Sequence, residues 1–255
     1  MFGAHRRSMS ASNAVPGARS ALPRPLRLLL LAVLALALIA AAAGGWLSRQ
    51  EDGQPAAVAA AAGSGDTLAV IYSGDGGWAA IDRGMTEGLV RAGVPVVGYS
   101  SLRYFAHGRT AQEAADDLAT VLRRYMALWG RRRIVLIGYS FGADALPVIM
   151  PRLPADLRAR VRLLALVGLQ PHGELKVHPG SWLNRAGPDA YAVAPAVAAL
   201  RGPAMVCIYG SREPHSVCPT LSPALIRRVE LKGGHHFDRD YRAISRAILR
   251  AMWRT

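Results

Sequence analysis

The sequence predicts an α/β domain, a mostly parallel sheet with helices on both faces. Two observations carry this reading. Six apolar runs rich in β-branched residues alternate with helix-compatible stretches, and the residues with chemical character fall just after the runs rather than inside them. A third observation sets the domain apart from what precedes it: the first 66 residues have the composition of a leader, an apolar run and a tether.

In chain order, residues 1–27 form an acid-free segment that carries Arg6, Arg7, Arg19, Arg24 and Arg27. Residues 28–47 follow as twenty consecutive positions without a charge, enough for a helix to span a bilayer. The run reads either as an uncleaved anchor or as the apolar part of a signal peptide, for which Ala40 to Ala43 offers a small-residue cleavage site. Both readings keep the arginines in the cytoplasm and export everything downstream. The Arg6-Arg7 pair lies too far from the apolar run for a twin-arginine signal. Residues 48–66, rich in Ala, Gly and polar residues, read as a flexible linker, and the folded domain is expected over 67–255.

Within that domain the predicted strands are Leu68 to Tyr72, Val94 to Tyr99, Arg133 to Ile137, Leu163 to Val167, Ala204 to Tyr209 and Ile226 to Leu231. Ile81 to Ala92 and Ala111 to Trp129 read as helices between them, the second with Ala115, Leu118, Leu122, Tyr125 and Met126 on one face. A last helix over Asp240 to Met252 spaces Tyr241, Ile244, Ile248 and Met252 along one side. The proline-containing stretch Gln170 to Leu200 reads as a reduced cap over the sheet edge, with room for two short helices.

The chain carries 31 Lys+Arg against 17 Asp+Glu, and its only lysines are Lys176 and Lys232. Part of that arginine bias is compositional habit; the rest favours an anionic partner, and for an exported, tethered domain the nearest is the phospholipid surface. No basic motif with interleaved aromatics points to nucleic acid. Cys207 and Cys218 would close a loop as a disulfide in an oxidising compartment, or else stay as buried thiols. Two cysteines without spaced partners make a poor metal site, and neither a metal nor a cofactor is expected.

The chemistry begins at Gly138-Tyr139-Ser140-Phe141-Gly142, directly after the third run, which is the layout of a nucleophile elbow. Such a pentapeptide arises by chance in roughly one chain in six of this composition, so its neighbours must decide. Glu213 follows the fifth run within Gly210-Ser211-Arg212-Glu213, and His235 follows the sixth within Gly233-Gly234-His235-His236-Phe237. The order serine, acid, histidine is that of α/β-hydrolases and not of chymotrypsin or subtilisin. His235 is favoured as the base with His236 as the alternative; Glu213 is the orienting acid, with Asp189 and Asp144 as substitutes. The glycine-rich turn Ser73-Gly74-Asp75-Gly76-Gly77-Trp78 after the first run offers Asp75 or Gly76 as one oxyanion donor, and Phe141, just after the serine, as the other.

These motifs resemble the bacterial virulence protein family VirJ/AcvB. The residues that carry the likeness are Tyr-Ser-Gly-Asp-Gly-Gly-Trp at 72–78, Gly-Tyr-Ser-Phe-Gly-Ala-Asp at 138–144, Cys-Ile-Tyr-Gly at 207–210 with Cys218-Pro219, and Gly-Gly-His-His-Phe-Asp at 233–238. The resemblance spans about residues 67–253 and fits the shorter, VirJ form. It implies an α/β-hydrolase in the periplasm, held at the inner membrane or free there if the signal is cleaved. It implies an esterase that removes the aminoacyl group, notably lysine, from lysyl-phosphatidylglycerol, with alanyl esters open as well. VirJ itself is linked to type IV secretion, so secretion-system components are expected partners, and a non-catalytic escort for secreted virulence factors is the alternative function. Family members often carry a second acid two residues after the glutamate; here that position is His215, which leaves the role to Glu213 alone.

Overall fold

The computed structural model describes Pro25, Leu28, residues 30–36, Leu38, and residues 54–63, 65–178 and 187–254. Of the N-terminal segment, the described positions are helical; the rest of the leader at 1–27 and of the charge-free run at 28–47 lies outside the described residues. Among the described residues no helix is long and apolar enough to cross a membrane.

Among the described residues the domain has nine strands: β1 (Ala57–Ala59), β2 (Thr67–Tyr72), β3 (Val96–Tyr99), β4 (Arg133–Tyr139), β5 (Val161–Val167), β6 (His172–Gly173), β7 (Tyr191–Ala192), β8 (Ala204–Gly210) and β9 (Arg227–Leu231). Its helices are α1 (Ala80–Arg91), α2 (Ser101–Tyr104), α3 (Ala111–Trp129), α4 (Phe141–Ile149), α5 (Ala155–Arg158), α6 (Val193–Ala199) and α7 (Tyr241–Met252). Seven strands form one sheet in the order β1-β3-β2-β4-β5-β8-β9. Every neighbouring pair is parallel except β1 and β3.

β1 departs from the sequence reading, because it lies in the stretch taken for a linker. Its three residues pair Ala57 with Gly98 and Ala59 with Val96, and close the edge of the sheet. A three-residue strand of alanine and valine leaves no periodicity to read; only the neighbouring edge defines it.

The inner strands β2, β3, β4, β5 and β8 are buried on both faces, which is why they read as continuous apolar runs; the edge strand β9 is mostly exposed. Along β2, Leu68, Val70 and Tyr72 face a core completed by α3, α4 and α6, while Ala69 and Ile71 face one completed by α1 and α7. α3 begins at a capping box between Thr110 and Glu113 and ends at Gly130 in a left-handed conformation. α7 begins where the Asp240 carboxylate accepts the Ala243 N–H. α1 and α7 lie close together because a Cβ at Gly84 would come within 2.6 Å of the Tyr241 side chain, and one at Gly88 would collide with Ser245.

The described part of the cap is the antiparallel pair β6–β7 and the helix α6, and it packs on α4: the Tyr191 hydroxyl donates to the Asp144 carbonyl at 2.7 Å, and Val193 and Val197 join the α3/α4 core. Residues 179–186, within the stretch read as cap, lie outside the described residues.

Sheet order locates the site. The connection leaving β2 runs to β3 on one side, whereas that leaving β4 runs to β5 on the other. The crevice between the carboxyl ends of β2 and β4 is therefore the topological switch point, where open α/β sheets place their ligands. Cys207, on β8, is disulfide-bonded to Cys218 across a Cα–Cα distance of 5.6 Å, and the loop they close contains Glu213. Replacing both cysteines by alanine is expected to lower stability by about 3 kcal/mol, the loop-closure value for a ring of this length, as measured by urea unfolding.

Candidate active site

The elbow is a backbone problem before it is a chemical one. Ser140 has φ 52° and ψ −120°, a positive φ that a serine adopts only under constraint. The constraint comes from both sides: a Cβ at Gly138 would collide with the Gly142 carbonyl, and one at Gly142 with the Tyr72 carbonyl. Only glycine lets α4 start this close to the ends of β2 and β4. The turn is then held by backbone bonds, with the Ser140 N–H donating to Val167 O at 2.8 Å and the Gly142 N–H to Ser73 O at 3.1 Å.

This geometry presents the Ser140 hydroxyl to His235, whose Nε2 lies 2.8 Å from Oγ. The other ring nitrogen, Nδ1, is 2.5 Å from Glu213 Oε1. The Glu213 side chain is 2% exposed, so its pairing takes place away from water. Its second oxygen accepts the Gly210 N–H at 3.1 Å, which fixes the carboxylate to the end of β8. The structure thus brings Ser140, His235 and Glu213 into one relay. Gly168 makes room for the ring, since a Cβ there would lie 2.8 Å from His235 Cε1.

His236 lies outside the relay. Its Nδ1 is 2.8 Å from the Tyr139 hydroxyl, and burial, together with the neighbouring His235, holds its pKa below the usual histidine value. Tyr139, which also donates to the His235 carbonyl at 3.3 Å, stacks on the His235 ring with centroids 5.3 Å apart. Of the two substitute acids, Asp189 is an exposed residue beside a cavity, and Asp144 is buried on α4. The Asp144 carboxylate accepts the Gln170 N–H at 2.8 Å instead of pairing with a histidine. Burial, and then the nearby Glu213 and Asp75 charges, push its pKa well above the usual carboxylate range. His215 is exposed on the turn after Glu213.

On the donor side, Phe141 N–H opens α4, at a position where a helix leaves its amides unpaired. The Phe141 ring packs on Phe105 at 5.2 Å. In the facing turn, Gly74 lies against the serine, where a Cβ would sit 3.4 Å from Ser140 Cβ, and Asp75 follows it. Gly76 follows Asp75 in the same turn and is exposed, and a Cβ there would meet nothing within 4 Å.

Gln170 is the residue that sequence reasoning passed over. Its Nε2 donates to Glu213 Oε1 at 2.9 Å and lies 3.5 Å from His235 Nδ1, while its own backbone is held by Asp144. Its place three residues past the end of β5 is the one signal the sequence held.

A mostly parallel sheet that offers a serine elbow after β4, a glutamate after β8 and a histidine after β9, in that order, is the α/β-hydrolase scaffold. The chain resembles the esterase domain of a Rhodothermus marinus protein at 12% identity, with a TM-score of 0.52 over 75% of this chain and 88% of that one. It also resembles an esterase of Pyrococcus furiosus at 14% identity, with a TM-score of 0.52 over 75% of this chain and 82% of that one. At such identities the likeness is one of fold. No curated protein sequence matches the chain. The model of the bacterial virulence protein (VirJ) family matches residues 66–255, and the chain belongs to that family.

Gln170→Leu removes a donor from a charged acceptor, and the rate of Ser140 labelling by a fluorophosphonate is expected to fall about tenfold. The bare carboxylate then favours the imidazolium, so the rising limb of the pH–rate profile moves to higher pH. A merely structural glutamine would leave that limb in place.

Proposed function

We propose that this protein is a serine esterase that hydrolyses the aminoacyl ester of aminoacylated phosphatidylglycerol, lysyl or alanyl, from the periplasmic side of the inner membrane. The observation that carries the chemistry is the unbroken relay from Ser140 Oγ through His235 to Glu213, at 2.8 and 2.5 Å. A protein that only escorts other proteins has no use for a buried carboxylate aligned on a histidine aligned on a serine.

His235 Nε2 takes the hydroxyl proton as Oγ attacks the aminoacyl carbonyl carbon. The oxyanion that forms is met by the backbone amides of Phe141 and Asp75. Glu213 stays ionised and holds the imidazolium in orientation. The tetrahedral centre collapses as His235 returns the proton to the departing glycerol oxygen of phosphatidylglycerol. Water, deprotonated by the same histidine, then releases the amino acid from Ser140.

Two things support the substrate. One is membership in the VirJ family, since the resemblance to VirJ/AcvB proteins implies an esterase of lysyl-phosphatidylglycerol. The other is the charge-free run at 28–47, which would keep the domain beside an insoluble lipid.

The full chain, purified in detergent and given lysyl- and alanyl-phosphatidylglycerol in mixed micelles, is expected to release free amino acid. Ser140→Ala should lower that rate by at least about a thousandfold, and His235→Ala by a similar factor, while His236→Ala changes it several-fold at most. If wild type releases no more amino acid than Ser140→Ala, this substrate is wrong. If a fluorophosphonate also fails to label Ser140, the serine chemistry itself is wrong.

A further inference from the structure

α7 carries more charge on its outer side than its packing requires. Arg242, Arg246 and Arg250 recur at every fourth residue, and Arg254 continues the series just past the helix end; all four are exposed. At 100° per residue they sweep one side of the helix over about 18 Å, opposite Ile244, Ile248 and Ala251, which are buried against the sheet. Trp253 is 73% exposed and falls within the same arc.

Little acid opposes this row. Arg246 lies 3.8 Å from Asp240, the helix cap, while Arg242, Arg250 and Arg254 have no acidic partner among the described residues. On the adjoining α1, Arg83 and Arg91 are exposed too, and the one outward acid there, Glu87, is already bound to Arg91 at 3.6 Å. Arginines that serve as solvated salt bridges come with partners at this spacing; these do not.

We propose that the outer face of α7 is the surface by which the domain lies on an anionic bilayer. Arginine matches phosphodiester head groups by charge and by its forked donors, and an exposed tryptophan at the end of such a row sits at head-group level. Each arginine near an anionic surface is worth about five-fold in binding. α7 starts six residues after His235, so its first turn follows directly on the loop that carries the histidine. The proposal rests on the membrane location argued above but not on the ester chemistry.

The fragment from Ser48 to Thr255 is a compact unit that holds both apolar cores and the disulfide, and so can be tested without the N-terminal segment. It is expected to float with phosphatidylcholine vesicles that contain phosphatidylglycerol, not with phosphatidylcholine alone, and to be released by salt. Arg242→Glu, Arg246→Glu and Arg250→Glu together should weaken that binding at least about a hundredfold, with the thermal melt unchanged. The control triple Arg124→Glu, Arg132→Glu and Arg160→Glu, which removes the same net charge elsewhere, should cost less than about tenfold. Equal losses from the two triples, or none from the first, overturn the proposal. So does binding of duplex DNA through the α7 arginines by a fragment that ignores vesicles. No turnover is measured, so failure here leaves the esterase reading standing, and failure of that reading leaves this one intact.

Discussion

The site depends on how closely α4 can approach the ends of β2 and β4. Gly138 and Gly142 each fill a space that a single methyl group would overrun, and between them Ser140 is held at φ 52°. That placement sets the hydroxyl's direction, leaves the Phe141 amide at the helix opening, and ties the glycine-rich turn to the elbow through the Gly142 N–H to Ser73 O bond. Strain of this sort costs of order 1–3 kcal/mol and persists only where the surroundings over-determine it. Here the surroundings are the two most central strands of the sheet.

Charge is distributed unevenly between the surface and the site. A chain of net charge +14 collects Asp75, Asp144 and Glu213 around one hydroxyl. Two of the three are buried, and they differ in what they bond. Glu213 faces an imidazole, an amide N–H and a carboxamide; Asp144 faces one backbone N–H, and burial pushes its acid toward the neutral form. The two carboxyls therefore bond differently: Glu213 meets the ring of His235, and Asp144 holds the backbone of Gln170, whose side chain reaches Glu213. Most of the arginines stay at the surface, where water and salt screen them, Arg131 being a buried exception.

Much of this was legible in the residues alone. The six predicted runs became six strands, five of them because burial on both faces leaves no alternation to misread, and the punctuation after them, Gly-rich or Ser/Glu/His-bearing, marks where strands emerge at one edge. What was not legible is non-local. β1 exists because β3 offers an edge; the cap lies on α4 because Tyr191 finds the Asp144 carbonyl. Gln170 matters because β5 ends beside β8, and Gly168 because a histidine more than sixty residues later must pass it. The choice between His235 and His236 is also geometric, since adjacent residues have the same composition and opposite directions.

The loop between Cys207 and Cys218 joins two things usually kept apart, a staple and the carboxylate that pairs with His235. Closing the ring requires an oxidant, so in any compartment that keeps thiols reduced Glu213 sits on a longer, freer segment, restrained by its hydrogen bonds alone. The same polypeptide would then exist in an early, slack form and a late, taut one. Redox state then sets geometry: opening the bridge slackens the segment that aims a carboxylate at His235, and closing it tightens that segment.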